Sequence, residues 1–70
     1  MKDTTKLFRL KQQQLLERLG EISTPDLMRH MAAWSMRLEN RAETKTQKAI
    51  CSEVLAAIDR EVEARQNVEA

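Results

Sequence analysis

The stretch STPDL at residues 23–27 is the clearest structural signal in this sequence, because it has the features of a helix start. The hydroxyl of Thr24 can accept a hydrogen bond from a free backbone N–H of the first turn, so Thr24 is the predicted N-cap. Pro25 then stands at the first helical position, where its missing N–H costs nothing. The carboxylate of Asp26 complements the positive end of the helix dipole. We therefore predict a helix over residues 25–41.

The residues after this start keep the pattern of an amphipathic helix. Apolar side chains recur at spacings of four, three, four and four, and they are Leu27, Met31, Trp34, Leu38 and Ala42. This spacing is that of one apolar face on an α-helix. Met28 is predicted to widen the same face on one side.

A first helix is predicted over residues 5–19. Its apolar face contains Phe8, Gln12, Leu15, Leu16 and Leu19. Gly20 is expected to end it in a left-handed conformation, which glycine adopts at low cost. The link that follows is very short, so the first two helices are predicted to be neighbours in space.

A third helix is predicted over residues 45–66, followed by a loose tail at residues 67–70. Thr44 and Gln47 match the capping-box pattern, which indicates a break between residues 40 and 44. The apolar face of this helix contains Ile50, Cys51, Val54, Leu55, Ala57, Ile58 and Val62. Because no Gly or Pro interrupts the region, one unbroken helix over residues 25–65 is the alternative.

Length and composition limit the fold to a single small domain. The chain has 70 residues, one Gly, one Pro, and many of the residues that favour helices. A core this thin needs additional support, and one cysteine cannot form an intrachain disulfide. We predict an all-α fold over residues 1–70, either a three-helix bundle or a helical hairpin plus one helix, completed by homodimerisation.

Catalysis, metal binding and cofactor binding are not expected. His30 and Cys51 are the sole His and Cys, which is too few for a zinc site or a nucleophilic pair. His30 follows Asp26 by one turn, so a surface pair between them is predicted. No apolar run is long enough to span a bilayer, and no signal-peptide pattern is evident. We therefore expect a cytoplasmic protein that does not enter membranes.

Charge is unevenly distributed, so a basic front and an acidic back of the chain could pair with each other, head to tail or within one fold. Residues 1–48 carry ten Lys/Arg and six Asp/Glu (10 − 6 = +4), whereas residues 49–70 carry two and five (2 − 5 = −3). On an unbroken helix, Arg37, Arg41 and Lys48 share one face with His30, and Lys45 lies beside them. Such a face suits phosphates or an acidic protein surface.

Apolar contacts are predicted as well, because Leu7 and Leu10 project from the other side of the first helix and Met36 points away from the apolar face of the second. The predicted partner or nucleic-acid contacts are therefore Leu7, Leu10, Met36, Arg37, Asn40, Arg41, Lys45 and Lys48.

The stretch from Ile22 to Met31 resembles the opening of winged-helix and helix-turn-helix regulators. That resemblance implies a turn at residues 32–34 and a short recognition helix capped by Ser35, with Arg37, Asn40 and Arg41 facing DNA. It departs from the pattern because the turn has no Gly and no β-wing follows.

Two functions are therefore predicted. The first is a small non-enzymatic regulator or adaptor that binds another protein through helical faces, by occlusion or by recruitment. The alternative is a DNA- or RNA-binding transcription regulator of prokaryotic type, related to helix-turn-helix proteins.

Overall fold

The protein is an elongated arrangement of three α-helices, described by a computed structural model for residues 4–69. The helices are α1 (Thr5–Glu17), α2 (Thr24–Asn40) and α3 (Lys45–Glu69), and a single 3-10 turn, Leu19–Glu21, follows α1. Residues 4–69 contain no strand, which confirms the predicted all-α class. The principal extents are 48 × 20 × 16 Å.

The start of α2 differs by one residue from the prediction. Ser23, in extended conformation, is the N-cap, and its Oγ accepts a hydrogen bond from the backbone N–H of Asp26 at 3.4 Å. Thr24 is the first helical residue and Pro25 the second. The hydroxyl of Thr24 is used elsewhere, because it accepts a hydrogen bond from Arg65 at 3.1 Å.

The end of α1 was predicted two residues too late and with the wrong conformation. The helix ends at Glu17, and the chain tightens into the 3-10 turn, in which the N–H of Glu21 donates to the carbonyl of Arg18. Gly20 does not have a positive φ. The predicted left-handed end is therefore wrong: the N–H of Arg18 donates to the carbonyl of Leu15 at 3.1 Å, and this tighter bond closes the last turn of the helix.

A break separates α2 from α3, so the unbroken helix over residues 25–65 is excluded. The N–H of Gln47 donates to Oγ1 of Thr44 at 3.1 Å, as the capping box predicts. The return bond differs from the usual motif, because Oε1 of Gln47 accepts from the N–H of Glu43 at 2.8 Å. The loose tail was wrong for residues 67–69, which are helical, and Ala70 lies outside the described residues.

The core lies along α3, which packs against both α1 and α2. Its fully or nearly fully buried apolar side chains come from all three helices, and they are Phe8, Leu15, Leu27, Trp34, Ile50, Cys51, Val54 and Ile58. All eight buried residues belong to the predicted apolar faces. Leu16 and Met28 were also predicted to lie on those faces, but they are at the margin of the faces and are exposed.

Polar side chains tie α3 to the other two helices near both of its ends. Near its start, Nε2 of the buried Gln47 donates to Oγ1 of Thr4 at 3.1 Å and of Thr5 at 3.3 Å. Near its end, Arg65 donates to the carbonyl of Leu19 at 3.2 Å, to Thr24 as above, and pairs with Glu61 at 3.7 Å. These bonds set the position of α3 along the bundle.

Candidate functional site

The α1–α2 groove is the most distinctive surface of the molecule. It lies between α1 and α2, because both helices pack along α3 while making few direct contacts with each other. Two adjoining cavities form it, with volumes of about 340 and about 210 Å³. Lys11, Trp34 and Arg37 line both cavities, so the two are parts of one groove.

The walls of the groove carry an excess of positive charge. Its lining includes four Lys/Arg side chains and one carboxylate, that of Glu43 (4 − 1 = +3), whereas the whole chain has a formal charge of +1. The four cations are Lys11, Arg18, Arg37 and Arg41. His30 lines the smaller cavity as well.

None of these four cations forms an ion pair within the described part of the chain. The ion pairs found there are Arg29–Asp26 at 3.3 Å and Arg65–Glu61 at 3.7 Å, and both lie elsewhere. Asp26 therefore pairs with Arg29, and the predicted pair with His30 is not formed. The groove concentrates cationic groups that the protein's own carboxylates do not neutralise.

Arg37 and Trp34 form the floor of the groove where the two cavities meet. The guanidinium carbon of Arg37 lies 4.7 Å from the centroid of the Trp34 ring, which is the geometry of a cation–π contact. Trp34 is 2% exposed, so its ring is covered by this contact and by the core. Arg37 follows Trp34 by three residues on α2, a spacing that makes the two side chains neighbours on the helix surface.

The structure divides the predicted contact residues into two groups. Leu7, Arg37, Asn40 and Arg41 line the larger cavity. The other four, Leu10, Met36, Lys45 and Lys48, are exposed but line neither cavity. Met36 is 62% exposed and lies on the side of α2 opposite its buried face.

The predicted continuous basic stripe is not present. Lys45 and Lys48 belong to α3, and the break after Asn40 removes them from the face that carries Arg37 and Arg41. The turn expected from the helix-turn-helix resemblance is also wrong, because α2 continues through residues 32–34. The apolar spacing of α2 passes through that region without a change of phase, which explains the continuous helix.

Apart from Leu7, the side chains of one wall of the groove are not among the predicted contact residues. This wall is formed by α1, where Leu7, Lys11, Gln14 and Arg18 recur at spacings of four, three and four. This second stripe has the period of a helix face but mixes apolar, amide and basic side chains. A search for apolar periodicity alone does not find such a face.

Groups with chemical reactivity do not converge in the groove. Cys51 is fully buried in the core, and burial raises the pKa of its thiol, although the charge of Arg37 and a backbone hydrogen bond act in the opposite direction. Among the described residues, no group of three His, Cys, Asp or Glu side chains is arranged to hold a metal ion. No helix in that part of the chain has the length and apolar character needed to cross a membrane.

Comparison with protein-family models, with curated proteins and with solved structures found no match to this chain. The observations that bear on function are therefore the position of the groove between α1 and α2 and the cations that line it.

Proposed function

We propose that this chain is a non-catalytic adaptor that acts by binding another protein in the α1–α2 groove. The observation that carries the proposal is the set of four Lys/Arg side chains that line the groove and have no ion-pair partner within residues 4–68. Such a concentration of charge gives specificity and speeds association.

The mechanism of such an adaptor would be occlusion or recruitment. A partner segment held in the groove is shielded from its other ligands, or brought to whatever else the adaptor binds. Leu7 contributes apolar surface at the rim of the larger cavity. We further propose a cytoplasmic location, where a thiol such as that of Cys51 stays reduced.

Homodimerisation is a separate part of the proposal and concerns the exposed face of α1 that borders the groove, where Leu7 also lines the larger cavity. Leu7 and Leu10 are each about half exposed and lie three residues apart on α1. Exposed apolar residues at this spacing suit contact between two copies, since helix neighbours three apart share a face.

Nucleic-acid binding is the second candidate, because the same four cations would also suit phosphate groups. Two features favour a protein partner. The cations line a concave groove between helices, whereas readers of duplex DNA insert a protruding helix or strand. In addition, α2 is unbroken and offers no separate recognition helix.

The test is capture of partners from a nuclease-treated lysate by the immobilised chain, compared between two double variants. K11E/R41E reverses one charge on each wall of the groove and leaves Arg37 over Trp34. K45E/K48E makes the same change in charge on α3, outside the groove. We expect captured protein to fall by about tenfold or more with the groove variant and to stay within about twofold with the control.

Two outcomes would contradict the proposal. Equal loss with both variants would mean that total charge, and not the groove, governs binding. Loss of all captured material on nuclease treatment would favour the nucleic-acid alternative. Light scattering of the purified chain at two concentrations tests dimerisation independently, and an unchanged monomer mass at both would remove that part.

A further inference from the structure

The α1–α2 groove has the position of a missing helix. In a four-helix bundle each helix packs against two neighbours, and the helices diagonally opposite make little contact. Here α3 packs against both α1 and α2, while those two make few contacts with each other. The three helices thus occupy three of the four positions of such a bundle, and the groove lies at the fourth.

The length of the groove also suits a helical segment. Along α1 its lining extends from Leu7 to Arg18, and along α2 from His30 to Arg41. Each of these is an interval of eleven residues, which corresponds to roughly 16 Å of α-helix. A partner helix of about three to four turns would lie along both walls.

The charges on the two walls specify what kind of helix would fit. Lys11 and Arg18 stand on the α1 wall, and Arg37 and Arg41 stand on the α2 wall. Since no carboxylate within residues 4–68 pairs with them, they are available to an incoming group. Cations on both walls would be matched by carboxylates on both flanks of a partner helix.

The floor specifies the side of the partner helix that faces inward. Phe8, Leu15 and Trp34 lie below the groove and are apolar. Arg37 lies across the Trp34 ring at the junction of the two cavities. An apolar side chain entering there would take the place of the guanidinium on the ring, and Arg37 would turn towards a carboxylate of the partner.

From this geometry we infer that the α1–α2 groove binds an acidic amphipathic helix of another protein. That helix carries an apolar stripe flanked on both sides by Asp or Glu, and it completes a four-helix bundle. This inference rests on the proposed adaptor function and names the chemistry of the partner. It differs from contact through the exposed leucines of α1, because it requires charge on both walls.

The test uses three defined probes. The first is a synthetic peptide of about 16 residues, with leucines at helical spacing and glutamates on both flanks of the leucine stripe. The second is a peptide of the same composition in scrambled order, and the third is single-stranded oligo(dT). Binding is followed by anisotropy of labelled probes and by the fluorescence of Trp34, the sole tryptophan in the chain.

We expect the patterned peptide to bind at least about tenfold more tightly than the scrambled one and to change Trp34 emission. K11E/R41E should weaken its binding by about tenfold, and K45E/K48E by less than about twofold. Arg37→Gln removes the charge and leaves a shorter polar side chain. It should therefore weaken peptide binding without the change of sign that a glutamate introduces.

Several outcomes would overturn the inference. Equal binding of patterned and scrambled peptides would show that general charge attraction suffices. Tighter binding of oligo(dT) than of the peptide would assign the groove to nucleic acid. If lysate capture depends on the groove but the peptide neither binds nor competes, the adaptor function stands and the acidic helix is wrong. If lysate capture is also independent of the groove, both proposals fail.

Discussion

The two sides of α1 and α2 make an informative comparison. On the side that faces α3, apolar side chains are buried and the buried polar side chains are paired. No buried side-chain N or O within the described residues lacks a hydrogen-bond partner, and Gln47 alone connects to Thr4, Thr5, Glu43 and Thr44. On the side that faces the groove, Arg37 rests on Trp34 and the cations have no ion-pair partner in the described chain.

The difference suggests that the two sides serve different purposes. The α3 side has what stability requires, namely complementary apolar packing and satisfied polar groups. The groove side gathers four Lys/Arg side chains that have no carboxylate partner within residues 4–68, and an excess of like charge lowers stability slightly. Cations without an ion-pair partner within residues 4–68, gathered around the Trp34 ring, are what the proposed binding role requires. Three measurements of the free energy of unfolding test whether the two sides contribute differently to stability.

The largest effect is expected for Leu27→Ala on the α3 side. Leu27 is 0% exposed, so the substitution removes buried methyl groups and leaves a cavity in a thin core. The free energy of unfolding should fall by about 2–5 kcal/mol. Urea denaturation followed by circular dichroism measures it. Met28→Ala is the matched control on the next residue of α2, where the side chain is 48% exposed, and it should change stability by less than about 0.5 kcal/mol.

A smaller loss is expected for Gln47→Ala, which removes the polar connection between the starts of α1 and α3. The hydroxyls of Thr4 and Thr5 and the N–H of Glu43 each lose the Gln47 side chain as a partner. We expect a loss of about 1–3 kcal/mol, measured in the same way. Gln13→Ala is the control, because Gln13 is exposed and bonds within its own helix to Glu17. Equal effects of the two substitutions would contradict a special role for Gln47.

The smallest effect is expected in the groove. Lys11→Gln combined with Arg41→Gln removes two cations that make no ion pair within residues 4–68. The free energy of unfolding should change by less than about 1 kcal/mol, because exposed unpaired charges contribute little to stability. A loss as large as that for Leu27→Ala would show that the groove cations hold the fold together, and the comparison would fail.

Much of the fold could be predicted from the sequence because local signals and apolar spacing agreed. The spacing of Leu27, Trp34 and Leu38 located the buried face of α2, and Thr44 with Gln47 located the break before α3. The errors occurred where neighbouring residues could play the same role. Ser23 and Thr24 are both good N-caps. The hydroxyl of Ser23 caps the helix, whereas that of Thr24 accepts a hydrogen bond from Arg65, 41 residues away in sequence.

The candidate site was only half predictable for a related reason. Arg37, Asn40 and Arg41 were chosen from one helix face, and the groove includes them. Lys11 and Arg18 form the opposite wall because of the way α1 and α2 are both oriented on α3. The spacing of residues within a single helix does not report that orientation. Lys45 and Lys48 were assigned to the same face only on the assumption of an unbroken helix.

The shared packing of α1 and α2 on α3 has a mechanical consequence. Since each of these two helices packs on α3 and few contacts join them directly, we expect the spacing between them to change more easily than the spacing of either helix from α3. A partner helix of slightly different diameter would rotate either α1 or α2 by a small angle, while the packing of the other helix on α3 stays intact. Tolerance of this kind would let one small chain accept a series of related helices rather than a single sequence.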